Sequence, residues 1–535
     1  NVEAVTGAIN VTATAAADVI LAGATGGATV VALGDKGTAG TDGIKITGVD
    51  ASGVSVTTSY VGSATGGAEG EIQLLGTAKA TDVATVSAAG VTNLDLDTAA
   101  IETVNLSGNG QAVTFNIVDL AATTYAGSGA YAVNLAGNVS KFDGKTITGV
   151  ADLDLNAGTA ADIDLSAVAT TTNIDLGYNN LGDKGGTEMI FTVASGATFE
   201  VTVDQTDMVI DFAAAETSAN VNIIAGDVNG ALNTAVGTLD FADLDVNSAL
   251  AGTVSITANE ANVTTDSLVV GAKQTVTLAG DEDFTLGTVT AKSVDATGVS
   301  GIVTATSTTS ALTFSTGSGA DVLTANGDAK HVFSTGAGND DISIDDTKDA
   351  SSFAAGAGND TVRIDQVGGI ESIVITLGDG DDTMIIAQDS DAIVVAGSGS
   401  DTLDIDAAIN FSDNTNSSFV GFEKFDLTGA GSGGTVTISA AQLARNSTFA
   451  ITADDDTLQV TVVAAAGGTL DASGITIASG SAATLSYTGS TKADTITGGK
   501  QNESINFTVG GDSIDGGLGT DTFVMGDTTL DATAL

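Results

Sequence analysis

Five aspartates, Asp321, Asp340, Asp360, Asp382 and Asp401, recur at intervals of 19, 20, 22 and 19 residues. Each is the sixth residue of a loop of one template: "TGSGADVLT" (316–324), "TGAGNDDIS" (335–343), "AGAGNDTVR" (355–363), "LGDGDDTMI" (377–385) and "AGSGSDTLD" (396–404). The paired glycines are Gly317 and Gly319, Gly336 and Gly338, Gly356 and Gly358, Gly378 and Gly380, and Gly397 and Gly399. Asn339, Asn359 and Asp381 stand immediately before three of the acids. One glycine–aspartate pair is an ordinary turn former. Five in step form a column of hard oxygen donors. Loops stacked about 4.8 Å apart would set carboxylates against one another unless a cation stood among them. Calcium suits that place, because it takes six to eight oxygens from carboxylates and backbone carbonyls. Glycine lets the backbone adopt positive φ and turn its carbonyls toward an ion. Magnesium demands tighter octahedral geometry. Zinc prefers His and Cys, and the chain has one histidine, His331, and no cysteine.

The elements that would stack these loops are legible beside them. After each loop the eighth and tenth positions are apolar: Leu323 and Ala325, Ile342 and Ile344, Val362 and Ile364, Met384 and Ile386, Leu403 and Ile405. Those are the inward positions of a strand leaving the loop. Between loops lies a second strand, as in "HVFST" (331–335), "SIVITL" (372–377) and "AIVVA" (392–396). One coil is therefore loop, strand, polar turn, strand. The far turns, "NGD" (326–328), "DDTKD" (345–349) and "QDSD" (388–391), are also acidic. They read either as solvated turns or as further ion sites.

A second acidic block lies near the C-terminus, at 489–524, where Asp494, Glu503, Asp512 and Asp521 are spaced by nine. Apolar residues follow two places later, at Ile496, Ile505, Ile514 and Phe523. Loops there sit on both edges of an 18-residue coil, and Gly517 and Gly519 belong to the best-formed of them.

Elsewhere the dominant pattern is alternation with period 2, as in "TNLDLD" (92–97), "ADLDLN" (151–156) and "TNIDLG" (172–177). Such segments are half-buried strands with a wet outer face. They recur every 10 or 11 residues, so two make a coil of about 20. Over 1–300 this allows a parallel solenoid or an array of β-sandwiches; the solenoid is favoured. Short helices are candidates only at "ISAAQLAR" (438–445) and "DFAAAETSAN" (211–220).

Bulk composition narrows the function. In 535 residues there are 15 basic against 67 acidic side chains, a formal charge of −52. Cations are the expected partners; nucleic acid and anionic membranes are not. Apolar content of 42% argues against disorder. Proline is absent, where average usage of about 5% would give about 27, as expected where most backbone N–H groups serve a ladder. No apolar run is long enough to span a bilayer. The chain begins with Asn, which reads as a processed product or an ordered part of a longer protein. No catalytic motif such as HExxH is present, His331 reads as structural, and no enzymatic activity is expected. "LGDKG" occurs twice, at 33–37 and 181–185, and reads as a turn or an extra site. "GDEDF" (280–284) and "ADDDTL" (453–458) read as exposed charge.

The loops resemble RTX nonapeptides, the glycine-rich calcium repeats G-G-x-G-x-D-x-apolar-x of type I secreted proteins. "GGLGTDTFV" (516–524) matches throughout, and the loops at 335, 355, 377 and 396 miss only the first glycine. The Ala/Thr/Gly/Val-rich remainder is similar to RTX-containing S-layer proteins of Gram-negative bacteria. The resemblance implies an all-β, elongated parallel β-solenoid with RTX calcium β-roll segments, about six or more Ca2+ ions, and assembly with itself into a two-dimensional lattice on the cell surface. It divides the chain into an Ala/Thr/Gly-rich solenoid or sandwich array (1–300), a calcium β-roll (301–410), a solenoid continuation (411–487) and a C-terminal RTX β-roll (488–535). Anchoring, for instance to a cell-surface polysaccharide, is expected of a part outside this sequence, with no direct membrane insertion. A calcium-stiffened adhesin that binds a host or surface ligand is the alternative.

Overall fold

In a computed structural model of the chain, the structure describes residues 9–13, 19–22, 28–32, 43–50, 53–58, 71–77, 82–88, 94–97, 101–108, 112–117, 122–156, 162–177, 189–205, 208–226, 238–308, 310–345, 347, 350–365, 371–388, 391–413, 418–446, 448–461, 467–507 and 510–526. It divides into two compact units, Asn1–Thr277 and Leu278–Leu535. Each is all-β and built of parallel coils.

In the first unit, Ile9–Ala13, Ala28–Ala32, Val54–Thr58, Val83–Ala88 and Thr103–Gly108 pair in that order, all parallel. A second ladder, Val113–Ile117, Val133–Asn138, Asp152–Asn156, Asn173–Leu176 and Ala197–Val201, follows in sequence and is also parallel. A sandwich would need antiparallel neighbours, so the sandwich reading of 1–300 falls. Coiling follows from the alternation: Val30, Val56, Val86 and Leu106 occupy one register column and are fully buried. The adjacent row, Thr29, Ser55, Thr85 and Asn105, is exposed or half-buried and faces outward.

The second unit repeats this with larger apolar residues. Leu323, Ile342, Val362, Met384, Leu403 and Phe425 form one buried column. On the facing ladder Phe314, Phe333 and Phe353 stand in register, with edge-on ring contacts at 6.2 and 5.5 Å. Because each coil touches only its neighbours, this stack carries stability locally. Phe333→Ala should therefore destabilise the unit by about 3–5 kcal/mol, read as a lowered denaturant midpoint.

Of the two helix candidates one forms. Ala440–Leu443 is a single helical turn, closed at its start by a capping box between Ser439 and Gln442. Residues 211–220 do not form a helix. Met208–Phe212 is a strand, and Ala213 N–H continues its ladder by donating to Val193 O (3.0 Å). The Asn220 amide then donates to the Ser195 hydroxyl (3.1 Å). Pairing with the adjacent coil outweighs the helix propensity of the alanine run.

Candidate metal centre

The five loops pile on one edge of the second unit. Ala337 N–H donates to Gly317 O (2.9 Å) and Ala357 N–H to Gly336 O (3.0 Å). In the other direction Gly338, Gly358 and Gly380 N–H donate to Ala357, Asp379 and Ser398 O, each at 2.8 Å. Loops this close leave no space for side chains at the glycines. At Gly358, φ is +137° and a Cβ would stand 1.7 Å from Gly338 O; at Gly399, φ is +148° and the distance to Gly380 O is again 1.7 Å. Both the backbone conformation and the approach require glycine.

Inside this edge runs a ladder of carboxylates. Asp321, Asp340, Asp360, Asp382 and Asp401 are each at most 2% exposed. One oxygen of each has a fixed job: Oδ1 accepts the backbone N–H of the acid one coil earlier. Asp321 N–H bonds Asp340 (2.7 Å), Asp340 N–H bonds Asp360 (2.9 Å), Asp360 N–H bonds Asp382 (2.8 Å) and Asp382 N–H bonds Asp401 (2.9 Å). At the start of the ladder Val303 N–H fills the same role for Asp321 (2.7 Å). The second oxygen, Oδ2, is buried in all five and has no hydrogen-bond partner. The Thr316 and Thr335 hydroxyls stand beside the Asp321 and Asp340 carboxyls, but donate to Thr335 O (2.8 Å) and Ala355 O (2.7 Å). Outside this column runs an exposed one, in which Asn339 accepts from Asn359 N–H (2.8 Å), Asn359 from Asp381 N–H (2.9 Å) and Asp381 from Ser400 N–H (2.9 Å).

A buried charged oxygen without a donor is expensive. Accordingly burial raises the pKa of all five aspartates, against the lowering effect of their backbone hydrogen bonds; Asp360 is pushed up to about 6. Burial also lifts Asp404 to about 6 and Glu503 to about 7. An acid whose folded pKa lies above its unfolded value stabilises the fold at low pH and loses that contribution as pH rises through the folded pKa. In metal-free buffer the protein should therefore become less stable between about pH 4 and pH 7, the reverse of ordinary acid denaturation. Urea midpoints across that range test this; a midpoint that climbs with pH would contradict it.

The C-terminal block has the predicted two-edged coil. Thr495–Thr497 pairs with Ser513–Asp515 and Glu503–Phe507 with Thr522–Met525. Asp494 N–H bonds Asp512 Oδ1 (3.0 Å) and Glu503 N–H bonds Asp521 Oδ1 (3.1 Å), the same arrangement 18 residues apart. Asp512 Oδ2 and Glu503 Oε2 are buried without partners. Asp494 differs: its Oδ1 takes Gly468 N–H (2.8 Å) and its Oδ2 takes Ser490 N–H (2.5 Å). Gly517 and Gly519 pack on Gly499 O and Gln501 O as the glycines of the first block pack on theirs.

Two carboxyl groups in the same role were not evident in sequence. Glu423 extends the first ladder by accepting Asp401 N–H (2.9 Å), so the column ends on an exposed acid. Asp456 is 1% exposed and accepts Gly434 N–H (2.9 Å), although "ADDDTL" reads as exposed charge; only Asp454 and Asp455 are exposed there. The signal available in both cases was an acid immediately before a strand. In "GDEDF" Asp281 is exposed as read, whereas Asp283 is half-buried and accepts Ile302 N–H (2.7 Å). The 326–328 turn packs on Ser307, whose hydroxyl accepts Asn326 N–H (2.9 Å). Parts of the 345–349 and 388–391 turns, and both "LGDKG" stretches, lie outside the described residues. His331 is fully buried, its ring 5.7 Å from that of Phe333.

Among the described residues no three acidic or histidine side chains converge on one point. A cation in the ladder would thus draw on one or two carboxylates at a time, with backbone carbonyls completing its shell. The inward-facing, donorless Oδ2 atoms fit that demand for hard oxygen. Fold and site together define a parallel β-solenoid with a buried acidic ladder along one loop edge. No protein-family model, curated protein or solved structure matches this chain.

Proposed function

We propose that this protein is a calcium-dependent structural subunit of an extracellular surface layer, an RTX-type S-layer protein that assembles with copies of itself into a two-dimensional lattice. The column of buried aspartate Oδ2 atoms without hydrogen-bond donors carries this reading. Calcium supplies the positive charge those oxygens need, and would be held by Asp321, Asp340, Asp360, Asp382 and Asp401 with loop carbonyls. With little calcium the −52 charge opposes compaction. Where calcium is abundant, ions bind the stacked coils and not the unfolded chain, and stabilise the fold by mass action. Export as an unfolded chain and folding outside the cell follow naturally. Exposed acids on neighbouring subunits would let the same ion drive lattice contacts. The enclosed position of His331 and the structural use of the acidic loops favour a non-catalytic role.

Electron microscopy of purified protein with calcium and with chelator tests the proposal. Ordered sheets that dissolve on chelation are expected. Single calcium-dependent rods would replace the lattice with the adhesin reading. No change in fold or size on chelation would overturn both.

A further inference from the structure

The two ladders of the second unit present outer faces of different charge. On the ladder that leaves the loops, outward positions carry Asp341, Arg363, Asp404, Lys424 and Asp426. The facing ladder runs Leu312–Ser315, His331–Ser334, Ser352–Ala357, Glu371–Asp379, Asp391–Ser398 and Ser418–Val420, all parallel. Its two outward columns, Thr313 to Ser418 and Ser315 to Val420, hold no charged side chain. They hold Val332, Val374, Ile393, Val395 and Val420 instead; Val374 is 40% and Val395 38% exposed, and the other three are half-buried. Exposed apolar patches mark contact surfaces, and this one lies on a chain of charge −52.

Charge returns at the ends of the two columns, with opposite signs. Asp295, exposed, stands one strand before Ser315 in the same column. It accepts the Thr297 hydroxyl (2.7 Å) and amide (3.1 Å), which lower its pKa. At the far end Arg445, also exposed, donates from Nη1 to the Ser418 hydroxyl. The strand midway between these ends, Ser352–Ala357, presents the small residues Ser352 and Ala354. A twofold axis lying along that strand, in the plane of the contact, turns a second copy end for end. It sets Asp295 against Arg445 at both ends, Val332 against Val374, and the small residues against themselves. A copy stacked in the same direction would set Asp295 against Asp295. Other acidic faces of the chain repel a copy unless an ion stands between them; this face does not.

We propose that this face is a self-association surface, on which a second copy of the chain packs sheet to sheet and end for end, with no bridging ion. The identity of the partner rests on the reading of the protein as a self-assembling subunit. Six strands about 4.8 Å apart and two columns about 7 Å apart give roughly 400 Å² per copy. Such a contact is small for an isolated pair and suits one that is repeated through a lattice.

Sedimentation of the full chain in calcium and about 1 M salt, where the Debye length is about 3 Å and charge-bridged contacts are screened, should show a concentration-dependent dimer. Val374→Asp together with Val395→Asp should raise its Kd by at least about a hundredfold. Val322→Asp, on the charged face and 39% exposed, should leave it unchanged. At about 0.15 M salt Asp295→Arg should weaken the dimer, and Arg445→Asp in the same chain should restore it; no restoration would overturn the end-for-end arrangement. If the aspartate pair does not fold, the absence of cysteine makes Val395→Cys a clean probe. Its maleimide labelling should slow as protein concentration rises, while Val322→Cys labels at one rate. A monomer throughout, or a dimer indifferent to the aspartate pair, would overturn the proposal. So would Val395→Cys protected at every dilution, because the chain's own residues would then cover the face. Ordered sheets that persist in the aspartate pair would overturn this face and leave the surface-layer reading standing. A dimer with these sensitivities that never forms sheets would keep the face and overturn the lattice.

Discussion

Withdrawing calcium is expected to lower the stability of the coils holding residues 316–404 by about 10 kcal/mol. Each cation site held at a hundredfold excess over its Kd adds about 2.7 kcal/mol, and the five loops enclose four gaps. Against a typical whole-domain stability of about 5–15 kcal/mol, that is the difference between folded and unfolded. Circular dichroism and light scattering during a calcium titration should show strand content and compactness rising together. Asp360→Asn separates the ion from the ladder. The amide keeps an Oδ1 acceptor for Asp340 N–H and removes a buried, partnerless charge. In chelator the variant should be more stable than the parent. In calcium its gain should be smaller by about 3–5 kcal/mol, one to two sites' worth. An unchanged calcium response in Asp360→Asn would contradict the assignment.

The second large effect needs no ion. Gly358→Val should destabilise the same coils by more than about 4 kcal/mol, because the new Cβ would meet Gly338 O at 1.7 Å in a backbone held at φ +137°. The decisive comparison is Gly431→Ala, where φ is +87° and nothing lies within 4 Å of the added carbon. There only the left-handed backbone is penalised, by about 1 kcal/mol. Equal losses at the two positions would mean that the loops are not stacked as closely as the backbone bonds from Ala357 and Gly358 require. Denaturant midpoints measured in chelator isolate the steric effect from any ion.

Much of this was visible in sequence for a plain reason. In a parallel coil the inward residues recur at the coil length, so the apolar pair after each glycine loop, such as Ile342 and Ile344, marks both strand and register. The acids at the sixth position fall into one buried column because the loops share a length. Departures arise where that regularity fails. Glu423 has a longer side chain that reaches the ladder from an exposed position, and no glycine loop precedes it to announce the role. Asp456 is buried by the coil beside it, through Gly434, rather than by anything in its own acidic run. The alanines after Phe212 favour a helix in isolation, but Val193 offers the next ladder bond. Sequence alone also could not show that each aspartate spends one oxygen on a backbone amide and leaves the other bare. That division depends on how far the loops are offset along the stack.

The most direct measurement is an anomalous difference map from crystals grown in calcium, with a lanthanide-exchanged crystal beside it. Cations riveting the loops predict a row of peaks against Asp340, Asp360 and Asp382 Oδ2, spaced by the rise of one coil. A map that is featureless along that row at neutral pH, with the coils folded and the aspartates still buried, would contradict the claim.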